Sequence, residues 1–135
     1  MKNILYTLFT LLLISSCTTE TVRDAKQETS HPKIYPDYVD VTIPVNIAPL
    51  NFCMADEKAL LIDAVVADNQ GNSLHSQGDE ALDFDIDDWH QILDNNRGKK
   101  LTVTVSAKYE DGWHTYRPFS ILVSNDSIDY GICYR

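Results

Sequence analysis

The segment LTVTVSA at residues 101–107 decides the fold, because its apolar and polar side chains alternate without interruption. Leu101, Val103, Val105 and Ala107 would lie on one face of a strand, and the hydroxyl side chains between them would lie on the other. Strict alternation of this kind is typical of a β-strand with one face on a core and one face in water.

Turn signals on both sides of this segment predict two hairpins. Glu110-Asp111-Gly112 should turn the chain into a returning strand at residues 113–117. Upstream, an apolar run at residues 60–67 ends in the turn signal DNQGN at residues 68–72, and a short return strand is expected at residues 73–76.

Four more segments have strand character. Residues 39–47 alternate, but Pro44 has no N–H to donate, so this strand is expected at a sheet edge or interrupted there. Residues 82–86 alternate Leu, Phe and Ile with Asp, which predicts a strand with one wet face. Residues 119–124 and 128–134 complete about seven strands.

One short helix is expected after the aspartate-rich strand. Asp87 or Asp88 can cap its start, and NNRG at residues 95–98 is a signal for its end. Three apolar side chains with helical spacing would form its buried face: Trp89, Ile92 and Leu93. Short strands at regular spacing with one helix predict a mainly β fold, an immunoglobulin-like antiparallel β-sandwich with one short helix.

The first 17 residues differ in character from the rest. Lys2 is followed by an apolar run at residues 4–14 and by Ile14-Ser15-Ser16-Cys17. A run of about 11 residues makes about 16 Å of helix, which is short of the roughly 30 Å hydrocarbon core of a bilayer. This combination is typical of a lipoprotein signal peptide, residues 1–16, with Cys17 as the lipidation site. A plain secretory signal or signal anchor with an incidental cysteine is the alternative.

Lipidation of Cys17 would make the membrane a partner of the protein. A diacylglyceryl cysteine with a further acyl chain such as palmitate carries two or three chains, which is sufficient for stable anchoring. The expected location is the bacterial cell envelope, as an outer-membrane lipoprotein on the periplasmic or the surface face. Thr18 and Thr19 leave open the choice between inner and outer membrane. Residues 17–32 are polar and predict a flexible tether, and residues 33–135 predict the β-sandwich domain.

The charge is strongly acidic, with 20 Asp and Glu against 11 Lys and Arg and a formal net charge of −9. This argues against a nucleic-acid partner, because phosphate binding needs clustered Lys and Arg. Asp83, Asp85 and Asp87 have the spacing of the first three ligands of an EF-hand calcium loop. Asp88, however, stands where that loop needs glycine. An acidic solvent face is therefore the favoured interpretation, with weak calcium binding as the alternative.

The sequence shows no catalytic constellation and no cofactor motif, so it predicts a protein that is not an enzyme. Its histidines lie in four separate segments without the spacing of metal ligands: His31, His75, His90 and His114. Trp113 and Tyr116 flank the second hairpin and are candidates for contact with a glycan or a protein partner, with filling of the core as the alternative.

Two cysteines remain once Cys17 is lipidated, and their state is open. Cys53 and Cys133 either form a disulfide, as an oxidising compartment allows, or stay as buried thiols. On the chain-entropy model, a bridge that closes this loop of roughly 80 residues would contribute about 4 kcal/mol.

Residues 35–52 (YPDYVDVTIPVNIAPLNF) and 130–135 (YGICYR) resemble the N-terminal region of bacterial lipoproteins that carry a TolB-like β-propeller. Some members are labelled cytochrome c biosynthesis proteins. In that family a C-x-x-C-H motif, suggestive of covalent haem, and the propeller follow this region. The present sequence contains neither, so the resemblance assigns no haem ligand here. Because residues 128–134 are strand-like and aromatic, residues 33–135 are expected to be the N-terminal module of a longer protein.

The predicted function is a membrane-anchored envelope lipoprotein that presents a non-catalytic β-sandwich as a binding or docking module. A glycan-binding surface lipoprotein is one alternative, and a truncated fragment of a propeller- or haem-associated protein is another.

Overall fold

The computed structural model describes residues 19–56 and 58–129. Of these, 36% are in strands and 9% in one helix. The strands are β1 (Lys26–Gln27), β2 (Ile34–Tyr35), β3 (Thr42–Ile43), β4 (Cys53–Met54), β5 (Leu61–Ala67), β6 (Ser73–Gly78), β7 (Lys100–Tyr109), β8 (Gly112–Thr115) and β9 (Phe119–Val123), and the helix is α1 (Ile86–Asn95). The prediction of a mainly β, sandwich-like fold with one helix is confirmed.

The main sheet is built around β7, the longest strand. β5 pairs with β7 along one edge, and β6 follows it in the order β1-β8-β7-β5-β6. The other edge of β7 is shared, since β8 pairs with its C-terminal half and β9 with its N-terminal half. These pairings are antiparallel, whereas β1 beside β8 and β3 beside β9 add two short parallel pairs. Both hairpins expected from the turn signals are present.

The register of the strands gives the main sheet an inner and an outer face. The inner face carries the odd-numbered residues of β7 from Leu101 to Ala107, together with the side chains that lie opposite them: Ile62, Ala64 and Val66 of β5, and Phe119 and Ile121 of β9. All of these are buried. The outer face carries the even-numbered residues of β7, from Lys100 to Lys108, which are polar.

A second layer covers the inner face. Trp89 of α1 is fully buried, its indole Nε1 donates to the Ile47 carbonyl at 3.1 Å, and its ring lies 5.7 Å from that of Phe84. The pair β2–β4 contributes Ile34 and Met54 to the same core. The hydrophobic core of the described residues therefore lies between the main sheet and this layer of helix, short strands and loops.

The helix begins at a different aspartate from the ones predicted. The Asp85 carboxylate accepts hydrogen bonds from the backbone N–H groups of Asp87 and Asp88 at 2.9 and 3.0 Å, so Asp85 is the N-cap. The expected ending is confirmed, because Gly98 follows the helix with φ +69°, a conformation that favours glycine.

The strand predicted at residues 82–86 is wrong, and the strand predicted at residues 39–47 is much shorter than expected. Residues 82–85 run extended into α1 without a strand partner, because the Leu82 and Phe84 N–H groups bond to a loop carbonyl and to the Asn51 side chain. The alternation at residues 82–86 therefore reflects the burial of Leu82 and Phe84 and not pairing in a sheet. In residues 39–47 only Thr42–Ile43 form a strand, and Pro44 ends it at the edge of the main sheet beside β9, as its missing N–H predicts.

Much of the predicted flexible tether lies against the domain. We call residues 20–31 the N-terminal strap. Its middle forms β1 beside β8, and the Glu28 N–H donates to the Thr115 carbonyl at 2.8 Å. The Ser30 carbonyl accepts from the Arg117 N–H at 3.0 Å. Composition alone predicts a loose segment here, because the contacts are made by backbone groups and polar side chains rather than by apolar ones.

Candidate functional site

A polar cleft of about 260 Å³ lies between the β5–β6 turn and α1. The turn supplies Asp68 and Asn72, the start of β6 supplies Ser73 and Leu74, and the helix supplies Asp88, Gln91, Ile92 and Asn95. The turn was expected from the sequence, and so was the helix. Their juxtaposition was not, since it depends on how α1 packs across the inner face.

Asp68 fixes the wall of this cleft on the turn side. Its Oδ1 accepts from the N–H groups of Gln70 and Asn72 at 2.8 and 2.9 Å, and its Oδ2 accepts from the side-chain amides of Asn72 and Asn96 at 2.8 and 3.2 Å. The bond from the Asn72 side chain is the main cause that holds the pKa of Asp68 well below its usual range, although burial opposes it. Asp68 therefore ties the turn to the end of α1 as a carboxylate.

The helix wall offers free polar groups. Gln91 and Asn95 are exposed, and within residues 19–56 and 58–129 their side-chain amides make no hydrogen bond to protein. Asp88 adds a carboxylate in the first turn of α1. Amides that both donate and accept, next to a carboxylate, suit a ligand rich in hydroxyl or amide groups.

The three aspartates of the calcium candidate, Asp83, Asp85 and Asp87, have separate structural roles. Asp85 caps α1, and the Asp83 carboxylate accepts from the Asn51 side-chain amide at 3.1 Å. Asp87 lies in the first turn of the helix. No group of three or more His, Cys, Asp or Glu residues arranged to hold a metal ion occurs in the described part of the chain. The geometry thus gives the calcium alternative no support.

Trp113 and Tyr116, the two aromatic candidates for partner contact, do not present fully exposed rings to solvent. Trp113 is only 7% exposed, and Tyr116 is half-buried against the core. The Tyr116 hydroxyl lies 2.9 Å from that of Tyr109, and burial, with this hydrogen bond, raises the pKa of Tyr116 above its ordinary value. A sugar ring cannot stack on Trp113 while it is covered in this way.

The N-terminal strap starts on the outer face of the main sheet. The Glu20 N–H donates to Gln77 Oε1 at 2.7 Å, the Gln77 amide donates back to the Glu20 carbonyl at 2.7 Å, and Lys108 Nζ lies 2.5 Å from Glu20 Oε1. Gln77 also donates to Asp63 at 3.0 Å, and His75 Nε2 lies 2.5 Å from the same carboxylate oxygen. Sequence reasoning missed this network, which joins positions 57 and 88 residues apart.

A second polar clamp holds the middle of the strap. His114 Nδ1 lies 2.8 Å from Glu28 Oε1 on the strap, and Nε2 lies 3.0 Å from Asp111 Oδ1 on the β7–β8 turn. Ionised carboxylates only accept, so His114 can donate to both of them at once only when its imidazole is protonated. The hydrogen bond to Glu28 is the main cause that raises the pKa of His114, and burial opposes it. Spacing along the sequence did not reveal these contacts of His114, because its partners come from other elements.

Several predicted features lie outside the described residues. These are the signal peptide at residues 1–16, the lipidation site Cys17, and Cys133 with residues 130–135. Cys53 is half-buried on β4, where its Sγ donates to the Tyr35 carbonyl at 3.4 Å, so the disulfide stays a prediction. Across residues 19–56 and 58–129, no helix has the length and apolar character that a membrane crossing requires.

The chain matches no family model and no curated protein sequence. The resemblance to lipoproteins with a TolB-like propeller therefore stays a prediction, and a function has to be argued from the residues and the geometry.

Proposed function

We propose that this protein is a lipid-anchored lipoprotein of the bacterial envelope whose β-sandwich acts as a non-catalytic docking module. The observation that carries the proposal is the sequence Ile14-Ser15-Ser16-Cys17 at the end of an apolar run, residues 4–14, that follows Lys2 and is too short to span a bilayer. The β-domain supports it as a compact body suited to presentation from an anchor.

The anchoring is tested by replacing the cysteine that would carry the lipid. Cys17→Ser should move the protein from the membrane fraction to the soluble fraction of cells that express the full chain, because one thioether holds all the membrane-bound acyl chains. Cys53→Ser is the matched control and should leave the protein in the membrane fraction. Membrane association that survives Cys17→Ser would contradict the proposal.

The polar cleft favours a second candidate within the same framework, a glycan-binding lipoprotein. Gln91 and Asn95 present unoccupied amides on one wall, and Asp88 lies beside them. Hydroxyl-rich ligands are recognised by such convergent donors and acceptors. In this second candidate, the sugar would contact the cleft and not Trp113, whose side chain is buried.

Glycan-array binding tests the cleft directly. If a glycan binds, the double variant Gln91→Ala/Asn95→Ala should weaken binding by roughly tenfold or more, since each hydrogen bond contributes about 0.5–1.5 kcal/mol. Gln70→Ala, on the adjacent turn but outside the lining of the cleft, is the control and should bind normally. Equal binding by the double variant and the control would exclude the cleft as the glycan site.

A further inference from the structure

The strap sets how far the domain can stand from its anchor. Cys17 lies three residues before Glu20, and Glu20 is fixed to the outer face of the main sheet through Gln77 and Lys108. Three extended residues span at most about 11 Å. A free tether over residues 17–32 would reach about 50 Å at the same rise. The docked strap therefore removes most of the reach that the sequence suggests.

The side of the sheet on which Glu20 docks is defined by the register. Lys108 is an even-numbered residue of β7 and belongs to the outer face, and Gln77 lies opposite Asp63 on that same face. α1 packs through Trp89, Ile92 and Leu93 on the inner face. The helix and the point of strap attachment are thus on opposite sides of the main sheet.

Charge is divided between these two sides. The outer face and the strap carry charges of both signs that nearly balance, with Arg23, Lys26, Lys100 and Lys108 against Glu20, Asp24, Glu28 and Asp63. The side covered by α1 carries a run of aspartates with little to balance it: Asp83, Asp85, Asp87, Asp88 and Asp94. Within the screening length of roughly 10 Å, an anionic surface therefore repels the aspartate-rich side more strongly than the nearly balanced side.

We infer that the outer face of the main sheet is the membrane-facing surface of this protein, held against the lipid headgroups by the docked strap, with α1 and its cleft directed away from the bilayer. The inference rests on the proposed lipid anchor at Cys17. It makes the N-terminal strap an orienting element and leaves the polar cleft open to a ligand or partner on the side remote from the membrane.

Quenching by headgroup-spin-labelled lipid measures this orientation. The full lipidated chain is reconstituted in phosphatidylcholine and phosphatidylglycerol vesicles, with a fluorophore on Thr104→Cys of the outer face or on Gln91→Cys of α1. The chain without an introduced cysteine corrects for labelling of Cys53 and Cys133. Quenching at position 104 should exceed that at position 91 by at least about twofold, because a sheet spacing of about 10 Å and a helix about 10–12 Å across separate the two sites.

Releasing the strap provides the matched comparison. In Gln77→Ala/Lys108→Ala the first fixed residue becomes Lys26, so the reach from Cys17 grows from about 11 Å to about 30 Å. The ratio of quenching between the two positions should fall towards one. Glu20→Ala changes only the strap and not the sheet, so it gives an intermediate ratio even if the double variant folds poorly.

The outcomes separate this inference from the proposed anchor. A chain with intact Cys17 that does not float with vesicles contradicts both. A chain that floats but is quenched equally at positions 104 and 91 leaves the anchor standing and overturns the orientation. A ratio that stays high in both strap variants also overturns the inference, because the strap would then not be what orients the domain.

Discussion

The two tryptophans of this protein lie on opposite faces of the main sheet and are covered by different means. Trp89 is fully buried on the inner face among the apolar side chains of the core. Trp113 is 7% exposed but lies outside that core, opposite Lys108 on the outer face, and Lys108 forms an ion pair with Glu20 of the N-terminal strap. The inner face is closed by apolar packing, whereas on the outer face the strap is attached by polar contacts.

This difference implies that the two faces contribute unequally to stability. Burial of apolar area on the inner face contributes about 25 cal/mol per Å². The strap is held by hydrogen bonds and exposed ion pairs, and each of these contributes about 1 kcal/mol or less. The inner face should therefore open only when the whole domain unfolds, whereas the strap should detach locally.

The largest expected effect comes from truncating one tryptophan at a time. Trp89→Ala should lower the free energy of unfolding by about 3–5 kcal/mol, because it leaves a cavity in the core and an unpaired Ile47 carbonyl. Trp113→Ala should cost about 1.5–3 kcal/mol, the value for burial without a rigid cavity. Urea unfolding measures both. Equal losses would show that the strap packs the outer face as firmly as α1 packs the inner one.

The inner face and the strap also differ in how well the sequence predicts them. The inner face was predictable because alternation in β7 and the spacing of Trp89, Ile92 and Leu93 report apolar burial directly. The strap was not predictable, because its partners are polar and distant in sequence, as Glu20 with Lys108 shows. The cleft lies between these cases, since its turn and helix were expected but the bonds from Asn96 and Asn72 to Asp68 were not.

A smaller effect is expected from the His114 clamp, and it depends on pH. The hydrogen bond to Glu28 raises the pKa of His114 above its ordinary 6.5, so its stabilisation is complete below pH 6.5 and is lost as the pH rises through the raised value. The pKa values of Glu28 and Asp111 are lowered from 4.5 and 3.8, so their contributions are lost only as the pH falls through the lowered values. Lys26, 3.6 Å from Glu28, is the other charge nearby. The clamp should be strongest between about pH 4.5 and 6.5.

His114→Gln tests this by removing the titrating group. Between pH 6 and pH 9 the melting temperature of the wild type should fall more than that of the variant, because only the wild type loses a proton from the clamp in that range. His90→Gln, on α1 and outside the clamp, is the control and should keep the wild-type slope. A variant with an unchanged slope would mean that His114 does not hold the strap through its charge.

The smallest global effect and the clearest local one are expected for Gln77→Ala. This change removes both hydrogen bonds between Gln77 and Glu20 and the one to Asp63, all near the surface, so the free energy of unfolding should fall by only about 0.5–1.5 kcal/mol. Amide exchange in residues 20–25 should nevertheless become at least about tenfold faster, since local opening is governed by local contacts. Gln70→Ala on the β5–β6 turn, whose side chain does not contact the strap, should change neither quantity. If Gln77→Ala instead destabilises the protein as much as Trp113→Ala while exchange in the strap stays slow, the strap is an integral layer of the fold, and the distinction between a packed inner face and a detachable outer one fails.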